Sequence, residues 1–208
     1  MTHHTHREGV HDDLRVQRTH KLILDALIEL TIQKGFSNIT VSDITRHAGI
    51  NRATFYRHYR DKFDLIDQYA QAVYELVDSP EDEPATSKRP SEKPPSGMVR
   101  MFEHIRANAR FYHVMLSQNG DPAFVEKVRQ YVEKRLRHSL PEALPDDENL
   151  VDFYLGYMSS GSVWATLWWL EHDLPYSPEE MAALAHRISA TNLQVMMAQR
   201  PPGDVLSP

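Results

Sequence analysis

Apolar residues recur at helical spacing along most of the chain, and no stretch alternates persistently with period two. Leu22, Ile23, Ala26, Leu27 and Leu30 form a stripe that stops at Gly35, a helix C-cap by pattern, with Phe36 just beyond it. Val41, Ile44 and Ala48 then share one face of a short helix, and Thr40 with Asp43 has the spacing of a capping box. Gly49 can take the left-handed conformation of a tight turn, Asn51 caps the next short helix, and Phe55 and Tyr59 repeat at i, i+4. Asp61 caps a fourth helix, with Phe63, Ile66, Tyr69, Val73 and Leu76 expected inward.

Residues 78–97 are rich in Pro, Ser, Glu and Lys and read as a linker or loop. The helical pattern resumes at Met98, with a break near Asn108. Asp121-Pro122 opens a helix carrying Phe124, Val128, Tyr131, Val132 and Leu136, and Asp146 or Asp147 opens another, running to about Glu171. Ser177-Pro178-Glu179-Glu180 starts the last, which runs to about Gln199. The expectation is an all-α protein of about nine helices. Its parts are a flexible arm at 1–13, a helix-turn-helix domain at 14–77 (the motif itself at about 40–59), the linker at 78–97, a helical body at 98–200 and a tail at 201–208.

With the bulky apolar positions turned inward, Arg52, Ala53, Thr54, Tyr56, Arg57 and His58 project outward, the layout of a DNA-reading helix. Gly35-Phe36, Thr40-Val41-Ser42-Asp43-Ile44, Ala48-Gly49-Ile50, Ala53-Thr54-Phe55-Tyr56-Arg57-His58-Tyr59 and Lys62 together resemble the N-terminal domain of the TetR (tetracycline repressor) family. The resemblance covers roughly residues 15–77. A generic helix-turn-helix would lack the Phe-Tyr-x-His-Tyr-x-x-Lys continuation. The resemblance implies a cytoplasmic homodimer whose heads bind a palindromic operator in double-stranded DNA and whose body dimerises and senses a ligand. Arg52 is the expected base reader, because arginine can bond guanine O6 and N7 together, and Ala53 can touch a thymine methyl. Thr40, Ser42, Thr54, Tyr56, His58 and Lys62 are carried over from the matching family positions as phosphate contacts.

A net charge of −6 argues by itself against a nucleic-acid binder. Its distribution answers the objection: between Leu14 and Asp67 nine basic residues face six acidic ones, a local +3 that leaves −9 elsewhere. The chain has no cysteine, which excludes disulfides and thiolate metal sites and fits a reducing cytoplasm. The N-terminus is polar and lacks the apolar stretch of a signal peptide. His3, His4, His6 and His11 have no second cluster to complete a metal site and read as solvated tail residues; neither metal nor cofactor is expected. Neither a His-Glu-x-x-His motif nor a nucleophile elbow occurs, so the chain is not expected to be an enzyme.

Residues 153–170 carry no charge and are long enough to raise a membrane-spanning reading. Ser159, Ser160, Ser162 and Thr166, with acidic flanks, turn it towards a helix buried in a core or dimer interface, with no membrane partner. Gly156 to Gly161 has phosphate-loop spacing, but Ser162 stands where lysine is required. Gly156 with Ser160 and Gly161 with Ala165 let a second helix approach closely, across a dimer or within one subunit. Phe111, Tyr112, Met115, Tyr154, Tyr157, Met158, Trp164 and Trp168 form an aromatic and methionine set suited to a ligand cavity, the plain alternative being ordinary core.

The body is also similar, through Phe111-Tyr112-His113-Val114-Met115-Leu116, Asn119-Gly120-Asp121-Pro122 and residues 161–170, to a TetR subgroup that includes the activator of a dihydroxyacetone kinase operon. That similarity implies response to a partner protein rather than only a free small molecule. The leading reading, from the TetR resemblance and the aromatic set, is a ligand-responsive repressor. The alternatives are an activator or regulator controlled by a partner protein, a ligand-binding module that does not touch DNA, and a small helical enzyme.

Overall fold

In the computed structural model, which describes residues 5–78, 93–141 and 147–198, the chain folds into nine α-helices and a single 3-10 turn, with no strand among the described residues. Side chains are described from Arg15 onward, Leu76 excepted. His3 and His4, the side chains of His6 and His11, most of the expected linker and the tail therefore lie outside what is described.

Helix α1 (Thr5–Lys34) starts inside the segment expected to be a flexible arm. Residues 5–13 contain no proline, so the helix can run through them. Of its expected stripe, Ile23, Ala26, Leu27 and Leu30 are buried, whereas Leu22 stays 40% exposed. Gly35, at φ +76, turns the chain into the 3-10 turn Phe36–Asn38, and Phe36 enters the core.

Helix α2 (Val41–His47) starts at a complete capping box, with Thr40 and Asp43 each accepting the other's backbone N–H. Gly49 takes φ +66 between α2 and α3 (Arg52–His58), and Asn51 Oδ1 caps α3 by accepting from the Thr54 N–H. Helix α4 (Lys62–Val77) is capped by Asp61, which accepts from Phe63 and Asp64. Its buried apolar residues are Leu65, Ile66, Ala70, Val73 and Val77. Phe63 was expected inward but is 50% exposed, because in the first turn of α4 it lies edge-on to Phe36, beside the core rather than in it.

The body comprises α5 (Ser96–Ala107), α6 (Ala109–Leu116), α7 (Pro122–His138), α8 (Glu148–Glu171) and α9 (Pro178–Ala198). The break at Asn108, the Asp121 and Asp147 caps and a reciprocal Ser177–Glu180 capping box stand where the sequence places them. A contiguous core runs from Ile23, Ile44 and Phe55 through Phe111 and Phe124 to Trp169 and Met181, so head and body are not separate packing units. A second cluster gathers Val151, Tyr154, Leu155, Met158 and Met196.

The head docks on the loop between α6 and α7, where the Phe36 N–H donates to the Asn119 carbonyl at 2.9 Å. That loop presses so closely on the end of α6 that a Cβ on Gly120 would sit 2.1 Å from the Met115 carbonyl oxygen. Glu29 on α1 adds a bridge, reaching His47 of α2 at 3.0 Å and Arg110 of α6 at 3.4 Å.

Candidate nucleic-acid interface

Ile44 and Phe55 are fully buried and Tyr59 nearly so, and these three fix the rotation of α2 and α3. Arg52, Ala53, Tyr56 and Arg57 are consequently exposed on α3, with Thr54 and His58 half-buried at its edges. Tyr56 is 54% exposed, its ring edge-on to Phe55.

Thr40, Ser42, Arg52 and Thr54 also hydrogen-bond within the protein, whereas Tyr56 and His58 make ring contacts. The Thr40 hydroxyl donates to Asp43 at 2.7 Å, and the Thr54 hydroxyl donates to Asn51 Oδ1 at 2.9 Å. Asp43 also accepts from Lys34 at 2.8 Å, and the bonds from Lys34 and Thr40 hold its carboxyl well below the usual carboxylate range. The Arg52 guanidinium donates to Ser42 Oγ, tying the first residue of α3 to α2. His58 packs edge-on against His20 of α1 at 4.9 Å between ring centres. The Tyr59 hydroxyl lies 2.6 Å from His20 Nδ1, and burial pushes the Tyr59 phenol up to about 12.

Lys62 departs from its expected role. It is only 9% exposed, and its ammonium donates to the carbonyls of Phe36, Ser37 and Ile39 at 2.7, 3.2 and 2.9 Å. It also lies 4.5 Å from the Phe36 ring centre. Three carbonyls use the three donors of the ammonium, which closes the turn between α1 and α2 and leaves none for a phosphate. Motif matching missed this because it records where a lysine stands in the chain, not which way its side chain runs.

The expected effector set is divided by the fold. Phe111, Tyr112 and Met115 are buried in the main core, where Phe111 lies 4.4 Å from the Tyr69 ring and 5.5 Å from Phe124. Tyr154 and Met158 are buried in the second cluster, and Tyr154 donates to the Ser189 carbonyl. Tyr157 and Trp164 are 64% and 66% exposed on the far face of α8, and Trp168 stacks on His172. These residues do not converge on one cavity. The reason is rotation along α8: its inward line runs through Tyr154, Leu155, Met158 and Trp169, which turns Tyr157 and Trp164 away.

Sequence reasoning also missed a polar network inside the body. The Tyr69 hydroxyl lies 3.2 Å from His104 Nε2, and the Asn108 amide approaches the same nitrogen at 3.4 Å. Burial raises Tyr69 to about 12, holds the nearly enclosed Tyr112 well above the usual phenol range and lowers His104. Nearby, Tyr74 and Tyr131 stack 3.8 Å apart beside an open cleft of about 290 Å³ that Gln71, Glu75, Asp78 and Lys134 also line. None of the expected effector residues lines this cleft. No helix among the described residues is long and apolar enough to cross a membrane, and none of their His, Asp or Glu side chains groups into a metal site.

Residues 23–69 match the family model described as bacterial regulatory proteins of the tetR family, and residues 92–190 match a transcriptional regulator C-terminal region. A Bacillus subtilis (strain 168) protein, the uncharacterized HTH-type transcriptional regulator YxbF, is 25% identical over 175 residues, or 82% of this chain and 44% of that protein. The chain thus aligns with less than half the length of that relative. A TetR transcriptional regulator from Streptococcus agalactiae 2603V shares the fold with a TM-score of 0.56 at 22% identity, covering 87% of this chain and 98% of its own. The dihydroxyacetone kinase operon activator DhaS shares it with a TM-score of 0.56 at 16% identity, covering 86% and 98%. With the tetR-family module at one end and the regulator C-terminal region at the other, the chain belongs to the TetR family of bacterial transcriptional regulators.

Proposed function

We propose that the chain acts in the cytoplasm as a homodimer, places one α3 in each half of a near-palindromic operator, and represses until an effector reaches the body. The exposed face of α3, held by the buried Ile44, Phe55 and Tyr59, carries the DNA reading. Arg52 reads a base, Ala53 offers its methyl to thymine, Tyr56 and His58 meet phosphates, and Thr40 and Thr54 do so by rotating their hydroxyl hydrogens away from Asp43 and Asn51.

The dimer reading rests on the outer side of α8 and α9. Phe153, Tyr157 and Trp164 are 70%, 64% and 66% exposed there, and Ile188 and Val195 of α9 are 47% and 56% exposed. Among the described residues, nothing beyond the adjoining turns of α8 lies within 4 Å of a Cβ built on Gly156 or Gly161. Among the described residues they meet no neighbouring helix, which supports their leaving room for a helix from a second copy. Joining two copies covers this apolar face and gives the two-fold symmetry that a palindrome requires.

One observation favours a second reading for the input signal. Phe111, Tyr112 and Met115 are packed against their neighbours, which favours a partner protein over a small molecule waiting for an open pocket.

Selection from random DNA duplexes, followed by sedimentation of the complex, tests the reading. The expected product is a near-palindrome with half-site centres about 34–36 Å apart, bound by two chains. Trp164→Glu should weaken the dimer by about 2 kcal/mol or more, and operator affinity with it. A monomer that selects no sequence would overturn the proposal.

A further inference from the structure

We propose that Ser42 is a positioning residue for Arg52: it aims the guanidinium at one base of each half-site and so sets sequence preference without itself contacting DNA. The inference rests on the DNA-reading role proposed for Arg52 and extends it to the residue that prepares that role.

Arg52 is the first residue of α3 and is exposed. A long arginine side chain in that position has many rotamers, and holding it in one of them on DNA has an entropic cost. The structure meets that cost before DNA arrives. The Arg52 guanidinium donates to Ser42 Oγ, an atom on α2 rather than on the arginine's own helix.

Ser42 is itself firmly held. It is the second residue of α2, between the Thr40 and Asp43 of the capping box, and it is half-buried. Its carbonyl accepts from the Thr45 hydroxyl at 3.2 Å, and Asp43 beside it is pinned by Lys34 at 2.8 Å. A short side chain on a capped helix offers an acceptor with a single rotatable bond between it and the held backbone.

The donor count permits both roles. Guanidinium has five N–H donors, and reading guanine uses two of them, so one bond to Ser42 leaves enough for the base. The bond also sets the direction of the fork, which a bidentate contact requires. A serine spent on a phosphate would strengthen binding to every sequence alike, whereas a serine spent on Arg52 acts on one base pair. The two roles therefore give different results in one measurement.

The measurement is a base-preference profile of the full-length protein on the duplex it selects, with all four base pairs placed in turn at every position. Ser42→Ala should reduce discrimination at the position read by Arg52 about fivefold, the worth of one ordinary hydrogen bond, and leave other positions and random-sequence duplex unchanged. Ser42→Thr, which keeps the hydroxyl, should restore most of the preference. Arg52→Ala should erase discrimination there, and adding Ser42→Ala to it should change nothing further, because the serine acts only through the arginine.

Uniform weakening on all duplexes by Ser42→Ala would mark a phosphate contact and overturn the proposal, as would an unchanged profile or additive losses in the double variant. If the parent protein selects no sequence, or Arg52→Ala leaves every preference intact, the DNA-reading assignment itself fails. That result is distinguishable because it appears without touching Ser42. Thermal melting of each variant separates these effects from misfolding.

Discussion

The head and the body are built from the same kind of element, but they differ in how a helix learns which way to face. Helix α3 is seven residues long, is capped by Asn51, and carries one bulky apolar side chain inward, Phe55, with Tyr59 just beyond it. The choice of inward face leaves one outward face, and that face carries the polar side chains. Helix α8 has 24 residues and no charged side chain between positions 153 and 170. It is apolar all round, so its pattern cannot say which aromatic residues meet the body and which face away. Phe153, Tyr157 and Trp164 are exposed while Tyr154, Met158 and Trp169 are buried, an outcome settled by the packing of α6, α7 and α9. A functional surface is legible where one face alone is apolar, and illegible where every face is.

The largest test of this contrast is whether head and body are separable at all. Phe55→Ala in the head and Trp169→Ala in the body each remove a fully buried aromatic ring, and each should cost about 3–5 kcal/mol. Because both rings belong to one contiguous core, each variant should unfold in one transition seen equally by head and body probes. A separate early melting of the head in Phe55→Ala, followed by amide exchange, would show two units and break the comparison.

A smaller effect should come from Lys62, where motif and packing disagree. Removing the ammonium with Lys62→Ala leaves the Phe36, Ser37 and Ile39 carbonyls without their donor, at a cost of about 1.5–3 kcal/mol in urea unfolding. The salt dependence of DNA binding by the folded variant should keep its slope. A phosphate contact would instead make it shallower by about one unit with stability unchanged.

The smallest effect is a dependence on pH that both regions share. His20 in the head is lowered by burial and by neighbouring His58, and His104 in the body is lowered by burial. In the unfolded chain both protonate at the ordinary 6.5, while in the fold they resist protonation until the pH is lower. The unfolded state therefore binds more protons in that window, so stability is full above about pH 6.5 and declines as pH falls below it. Urea midpoints should drop between about pH 7 and pH 5.5, and His20→Gln and His104→Gln should each flatten the slope. If only one variant flattens it, proton sensitivity belongs to that region alone.

Chain order by itself determined much of this protein. The capping box at Thr40 and Asp43, the positive φ at Gly49, the caps Asn51, Asp61 and Asp121, the break at Asn108 and the outward set on α3 could all be read in advance. Each depends on residues within a few positions of one another, and local backbone geometry links them directly. What the tertiary structure alone decided involves groups far apart in the chain. Lys62 reaches carbonyls 23 to 26 positions back, and Tyr69 meets His104 35 positions on. Phe63 lies beside the core although its type suggests the interior, and the aromatic set expected to line one cavity is divided among two cores and an outer face. Periodicity records the angle of a side chain around its own helix, but not which other helix stands at that angle. That is set by the simultaneous packing of all nine described helices.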